Sequence, residues 1–224
     1  MTLWRWAALF SLPFLAISQA FGLIDGLTAC STSTEPILAF ELVRSMAEVA
    51  ALFPPDCRAV AAAAQVKGLW LDNLAFIPVY TGFLVLYLLA LGRDRPNLRR
   101  LLHAGIAMTA LAALADYWEN SRLMLILADL PGSKATIDQL VPAPRLKFVL
   151  LGVVVILAGF ALQANGGWRR FAGLIALAGG AISLFALFGN AQWLHLGALL
   201  GWLPLVLTSW IEAFRKRVVR SQPR

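Results

Sequence analysis

Charge is what this 224-residue chain has least of: Asp, Glu, Lys and Arg make up 14% of it, against about 25% in a soluble domain. With 60% of residues hydrophobic, that shortage excludes a water-soluble globule with a charged coat. Histidine is equally scarce. His103 and His195 fall towards opposite membrane faces when the apolar runs are threaded as six spans, which argues against a haem gripped between two facing imidazoles. The two cysteines, Cys30 and Cys57, form no CxxC pair. Also missing are a P-loop, a dinucleotide fingerprint, an HExxH pair and a G-x-S-x-G elbow, so no motif fixes a reaction.

What is present is long apolar blocks. Uncharged runs cover Trp6 to Ile24, Asn73 to Gly92, Phe148 to Trp168 and Phe171 to Ile211. About 20 apolar residues suffice to cross a bilayer core of about 30 Å. The last run is about twice that length and is interrupted by Gly189-Asn190, so it reads as a helical hairpin. Leu101 to Ala115 is short, but a helix continuing through Asp116, Glu119 and Arg122 to Ala128 makes a further span with a polar outer end. The expected fold is all-α: a polytopic transmembrane helical bundle of six spans near 4–24, 73–92, 101–122, 147–167, 171–189 and 192–212, with residues 25–72 as a small helical extracytoplasmic segment.

The net charge of +7 reports orientation rather than nucleic-acid binding. Arg5, Arg93, Arg95, Arg99, Arg100, Arg169, Arg170 and the Arg215 to Arg224 tail fall on one side of six threaded spans, accompanied by only Asp94 and Glu212. By the positive-inside rule that side is cytoplasmic, with both termini. Anionic lipid headgroups are a sufficient partner for it. Trp4, Trp6, Trp168 and Trp210 fall at inner ends and Trp70, Trp118 and Trp193 at outer ends, as interfacial anchors should; only Trp202 lies at mid-span. Arg5, the apolar stretch and Ser18-Gln19-Ala20 also imitate a cleavable signal peptide, which would leave five spans.

In the segment between the first two spans, Leu38, Leu42, Met46, Val49 and Leu52 recur at helical spacing, so one helix is predicted over 37–52, capped by Ser33 or Thr34 and stopped by Pro54-Pro55. A shorter Ala-rich helix over 56–67 follows. Cys30 and Cys57 flank the first helix in a segment placed outside the cell, where a disulfide is permitted; two separately packed thiols are the alternative. Residues 129–147, with Pro131-Gly132 and Pro142-x-Pro144, read as a loop with room for one helical turn. Ala176-x3-Gly180 and Gly197-x3-Gly201 are small-residue pairs that permit close helix approach.

Polar groups inside hydrocarbon are costly, and each suggests a site and a partner. Asp116 lies about 24 Å along its helix from Arg100, in the outer leaflet, with Glu119 and Asn120 on the same face. Asp72 and Asn73 open the second span at the same depth, Tyr80 lies a little deeper, and His195 sits just below the outer hairpin turn. Asp72, Asn73, Tyr80, Asp116, Glu119, Asn120 and His195 are therefore the candidate ligand-binding residues, lining an outer-leaflet cavity. The competing reading is structural: Glu119 pairs with Arg122, Asp116 accepts from Tyr80 or Asn73, and His195 caps the hairpin.

Asp72-Asn73-Leu74-Ala75-Phe76-Ile77-Pro78-Val79-Tyr80, with Ala115-Asp116-Tyr117-Trp118-Glu119-Asn120, resembles a pattern in uncharacterised bacterial multi-pass integral membrane proteins. The resemblance covers the second and third spans, implies a bacterial inner (plasma) membrane location and names no activity. Three functions stay open. The first is binding of a lipid or small amphiphile in the outer-leaflet cavity, with no cofactor. The others are a membrane-embedded, metal-dependent lipid hydrolase and a small transporter. No internal repeat supports the last.

Overall fold

The computed structural model describes residues 2–28, 35–163, 166–188 and 192–215. Every regular element among the described residues is a helix, with no strand. Helix α1 (Leu3–Phe21) is followed by three shorter helices, α2 (Pro36–Glu41), α3 (Met46–Leu52) and α4 (Arg58–Leu71). A π-helical turn, Asp72–Phe76, joins α4 to α5 (Ile77–Asp94) without a break. Then come a 3-10 turn, α6 (Arg99–Ala128), α7 (Lys134–Leu140), α8 (Pro142–Gln163), α9 (Gly167–Phe188) and α10 (Gln192–Phe214).

Five helical stretches are long and apolar enough to cross a membrane: Arg58–Asp94, Pro96–Ala128, Lys134–Gln163, Gly167–Leu187 and Trp193–Phe214. Helix α1 is not among them. It nevertheless packs as one of the bundle, against α5 and α10. Trp4, Ala7, Ala8, Ser11 and Phe14 form its buried stripe, while Trp6, Leu9, Leu12 and Leu15 point outward.

The same apolar outer face recurs elsewhere: Leu111 and Leu114 on α6, Phe171, Leu174 and Phe185 on α9, Leu199, Leu203 and Leu207 on α10 are all exposed. In water such a continuous apolar surface is an aggregation liability. In lipid it is solvated, and this surface, with the five apolar helices, makes the chain a multi-pass membrane protein that contacts lipid.

Lipid gives helices no hydrophobic reason to associate, so close packing must hold them together. Along α8, α9 and α10 that packing is made by glycine. A Cβ on Gly179 would collide with the backbone of Gly201, one on Gly197 would lie 2.6 Å from the Ser183 backbone nitrogen, and one on Gly180 would lie 2.9 Å from the Gly152 carbonyl. Mid-bundle, Trp202 stacks on Phe14 with ring centroids 4.8 Å apart, which accounts for the tryptophan that fits no interface.

At one end, charges from three helices and an indole from a fourth meet. Arg169 at the start of α9 bonds Asp94 at the end of α5 (3.1 Å) and Glu212 at the end of α10. Trp4 donates its indole N–H to the same Asp94 at 3.2 Å. The ends that the charge distribution assigns to one side thus converge in space.

At the other end a second core, separate from that of the bundle, is formed by Phe40, Val43, Val49 and Phe53 of the α2–α3 region with Ala61 and Leu69 of α4, Leu123 and Ile126 of α6, and Ile137 and Leu140 of α7. The single helix predicted over 37–52 is split here. Ser45 accepts from the Glu48 amide at 3.2 Å and the Glu48 carboxylate accepts from the Arg44 amide at 2.7 Å, a capping arrangement that starts a new helix. The proposed Ser33 and Thr34 caps lie outside the described residues, as does Cys30, one half of the expected disulfide.

Candidate functional site: a buried ionic seam

Three local features set up the site. Pro78 has no N–H to give the Leu74 carbonyl, and the chain widens into the π turn just before it, the Ile77 amide reaching back to the Asp72 carbonyl. Helix α6 is a single 30-residue rod, so Asp116, Glu119 and Asn120 stay in helical register on one face. And Pro142 and Pro144 begin α8 rather than belonging to a loop; proline is tolerated in a first turn, where its missing N–H has no intrahelical partner to lose. That last feature puts Lys147 inside a helix.

Lys147 is 5% exposed. Its ammonium lies 3.1 Å from Asp116 Oδ1, 3.2 Å from Glu41 Oε2, and 3.0 and 2.9 Å from the two oxygens of Glu119. An ammonium has three protons for those four oxygens. They serve Glu41, Asp116 and Glu119 Oε1, and leave Glu119 Oε2 in ion-pair range without a hydrogen bond of its own. The Tyr80 hydroxyl donates to the other Asp116 oxygen at 3.1 Å. Beside this group, the Asn120 amide donates to Asp72 Oδ2 at 2.6 Å and to Asn73 Oδ1 at 3.0 Å.

Asp116, Glu119, Asn120, Tyr80 and Asp72 are all buried. The cluster sits at the seam between the two hydrophobic cores: Asp116 and Glu119 come from the bundle helix α6, whereas Glu41 comes from α2, among the short helices that cover this end of the bundle. Burial holds the Glu41 carboxyl above its ordinary value of 4.5, with the Lys147 charge pulling the other way.

Six of the seven expected residues, Asp72, Asn73, Tyr80, Asp116, Glu119 and Asn120, are thus brought together. His195 is not. Its side chain is 70% exposed and its Nδ1 lies 3.6 Å from Glu35, so it belongs to the surface of the protein and not to the buried cluster. The Tyr80 to Asp116 bond is the one foreseen, but Arg122 does not pair with Glu119: it donates to Gln139 at 2.8 Å and covers the Trp118 ring.

Lys147 and Glu41 were missed. Proline before Lys147 suggested a loop, and Glu41 fits the polar face of a surface helix. The available signal was that Lys147 directly precedes an uncharged apolar run, where an ionised group needs a partner.

Among the described residues, no group of three or more His, Cys, Asp or Glu side chains is arranged to hold a metal. Two open cavities, of about 340 and 430 Å³, lie at the opposite end, around Gln163, Arg170 and Gly166 and around Asp94, Trp168 and Arg215.

Comparisons with known protein families, curated proteins and solved structures return no match to this chain. Function has to be argued from the seam.

Proposed function

We propose that this is a six-span integral protein of a bacterial inner membrane, with α1 as the sixth span and both termini cytoplasmic, that binds a lipid or small amphiphile at the outer polar seam. The outward apolar face of α1 and the clustering of arginine at one end support the topology. The observation that carries the binding reading is the position of Lys147 between Glu41 of the covering helices and Asp116 and Glu119 of the bundle. Ionic groups are an expensive way to join two apolar cores, since well-packed hydrophobic residues at such a joint are often as stable or more so. A joint made instead of exchangeable polar contacts can release them to a polar headgroup while the acyl part lies along the apolar flank of α6.

The metal-dependent hydrolase reading has no support among the described residues: no metal-holding group is present, and Ser121 gives its hydroxyl to the Trp118 carbonyl. The Cys30 to Cys57 bridge stays a proposal, tested by a mobility shift on reduction that a Cys57→Ala variant lacks. For binding, the test is native mass spectrometry of detergent-purified protein with quantified co-purified lipid. Retained lipid should fall several-fold in Asp116→Asn and Glu119→Gln while staying unchanged in the lipid-facing control Phe171→Ala. Equal retention in all four proteins rejects the reading.

A further inference from the structure

We infer that the two cavities at the arginine-rich end of the bundle hold the phosphate headgroup of one anionic phospholipid. The cavities meet at Gly166, just before α9. The smaller, about 340 Å³, is lined by Phe160, Gln163 and Arg170, and the larger, about 430 Å³, by Asp94, Trp168, Arg169 and Arg215. This site lies at the opposite end of the bundle from the Lys147 seam and does not depend on what the seam binds.

Arg169 carries the inference. Its side chain is only 9% exposed, yet it lines the larger cavity. Its carboxylate contacts run through Nε, to Glu212, and through Nη2, to Asp94 and Glu212. The other terminal nitrogen, Nη1, bonds no group among the described residues and is not shut away from solvent, so its N–H groups open on the cavity. A guanidinium presents five donors in a planar fork that matches phosphate oxygens, and one side of this fork is free.

The charge balance points the same way. Arg169, Arg170 and Arg215 stand against Asp94 and Glu212, with Arg215 3.3 Å from Glu212; three positive groups against two negative ones leave one positive charge. Arg170 is exposed and pairs with no carboxylate among the described residues. A phosphodiester carries one negative charge and cancels that surplus.

The surroundings favour a lipid over a soluble anion. Phe160, in the wall of the smaller cavity, is 48% exposed on the apolar flank of α8, and Trp168 is 37% exposed at the helix end, where an indole meets headgroups. A lipid reaches so open a site laterally, with its phosphate at the arginines and an acyl chain against Phe160. Basic pockets between transmembrane helices are suited to anionic headgroups in this way.

The test is native mass spectrometry of the detergent-purified full chain, washed free of co-purified lipid and titrated with phosphatidylglycerol, phosphatidylcholine or inorganic phosphate. Phosphatidylglycerol should give one saturable adduct at a several-fold lower concentration than phosphatidylcholine, whose choline cation meets the arginines. Arg170→Gln and Arg215→Gln should each weaken that adduct about fivefold. Both side chains are exposed and neither supplies the Arg169 contacts, so both variants should unfold at the wild-type temperature. Arg100→Gln removes an exposed arginine that lines neither cavity and should bind as the wild type does, as should Asp116→Asn at the seam.

Equal affinity for the two lipids, or an equal loss in Arg100→Gln, reduces the arginines to a diffuse positive surface and overturns the site. So does unchanged binding in Arg170→Gln and Arg215→Gln. Inorganic phosphate that displaces phosphatidylglycerol at equal concentration overturns the lipid as ligand in favour of a soluble phosphate. An adduct lost in Asp116→Asn alone would place the lipid at the seam, rejecting this site while supporting the other.

Discussion

Among the described residues Lys147 is the one cation of the seam, and Lys147→Met removes it while keeping most of the side-chain volume, so the cost is electrostatic rather than a cavity. Three carboxylates within 3.2 Å of the ammonium would be left buried and mutually repelling. Removing one partner from a buried ion pair costs about 3–5 kcal/mol, and in a chain of this size each kcal/mol moves Tm by about 2–4 °C. The variant should therefore unfold roughly 6–20 °C below the wild type in differential scanning fluorimetry of the detergent-purified protein.

Two companions make that result specific. Lys134→Met breaks an i,i+4 pair with Asp138 whose lysine side chain is 81% exposed, and should shift Tm by no more than about 2 °C, since such pairs contribute little. The triple variant Lys147→Met, Asp116→Asn, Glu119→Gln discharges the stranded carboxylates and should recover at least half of the loss. If Lys147→Met melts within 2 °C of the wild type, the buried carboxylates do not depend on this ammonium, and the account of the seam fails.

The arginine centre at the other end predicts that Arg169→Met destabilises by about 3 kcal/mol or more, because Asp94 and Glu212 lose their shared partner; a Tm change under 2 °C refutes it. Gly179→Leu should prevent accumulation of folded protein, read as loss of the monodisperse peak in size-exclusion chromatography, since even a Cβ there meets the Gly201 backbone. For Glu41, burial raises the folded-state pKa above 4.5, so the folded chain holds that proton more tightly than the unfolded one. The stability this contributes is present below the unfolded value and lost as pH rises through the folded one. Tm of the wild type minus that of Glu41→Gln should accordingly increase as pH falls from 7 towards 5, and the opposite slope contradicts the assignment.

The amino-acid sequence by itself determined that the chain is helical and lipid-solvated, because both follow from properties summed over long stretches: apolar runs, scarce charge, arginine at matching run ends. It also placed Asp72, Asn73, Tyr80, Asp116, Glu119 and Asn120 at one depth, since rise per residue fixes depth along a helix. Depth is not azimuth, however. His195, expected at the same level, has an exposed side chain instead, a matter of how α10 is rotated against its neighbours, which no local pattern encodes.

Only the tertiary structure decided that Lys147 and Glu41 belong to the site. The two lie far apart in the chain, and each resembles an ordinary surface charge until α2 folds over the end of α6 and the second turn of α8 aims the lysine inward. Charge partnership is a pairwise, short-range property, and packing alone chooses the pairs.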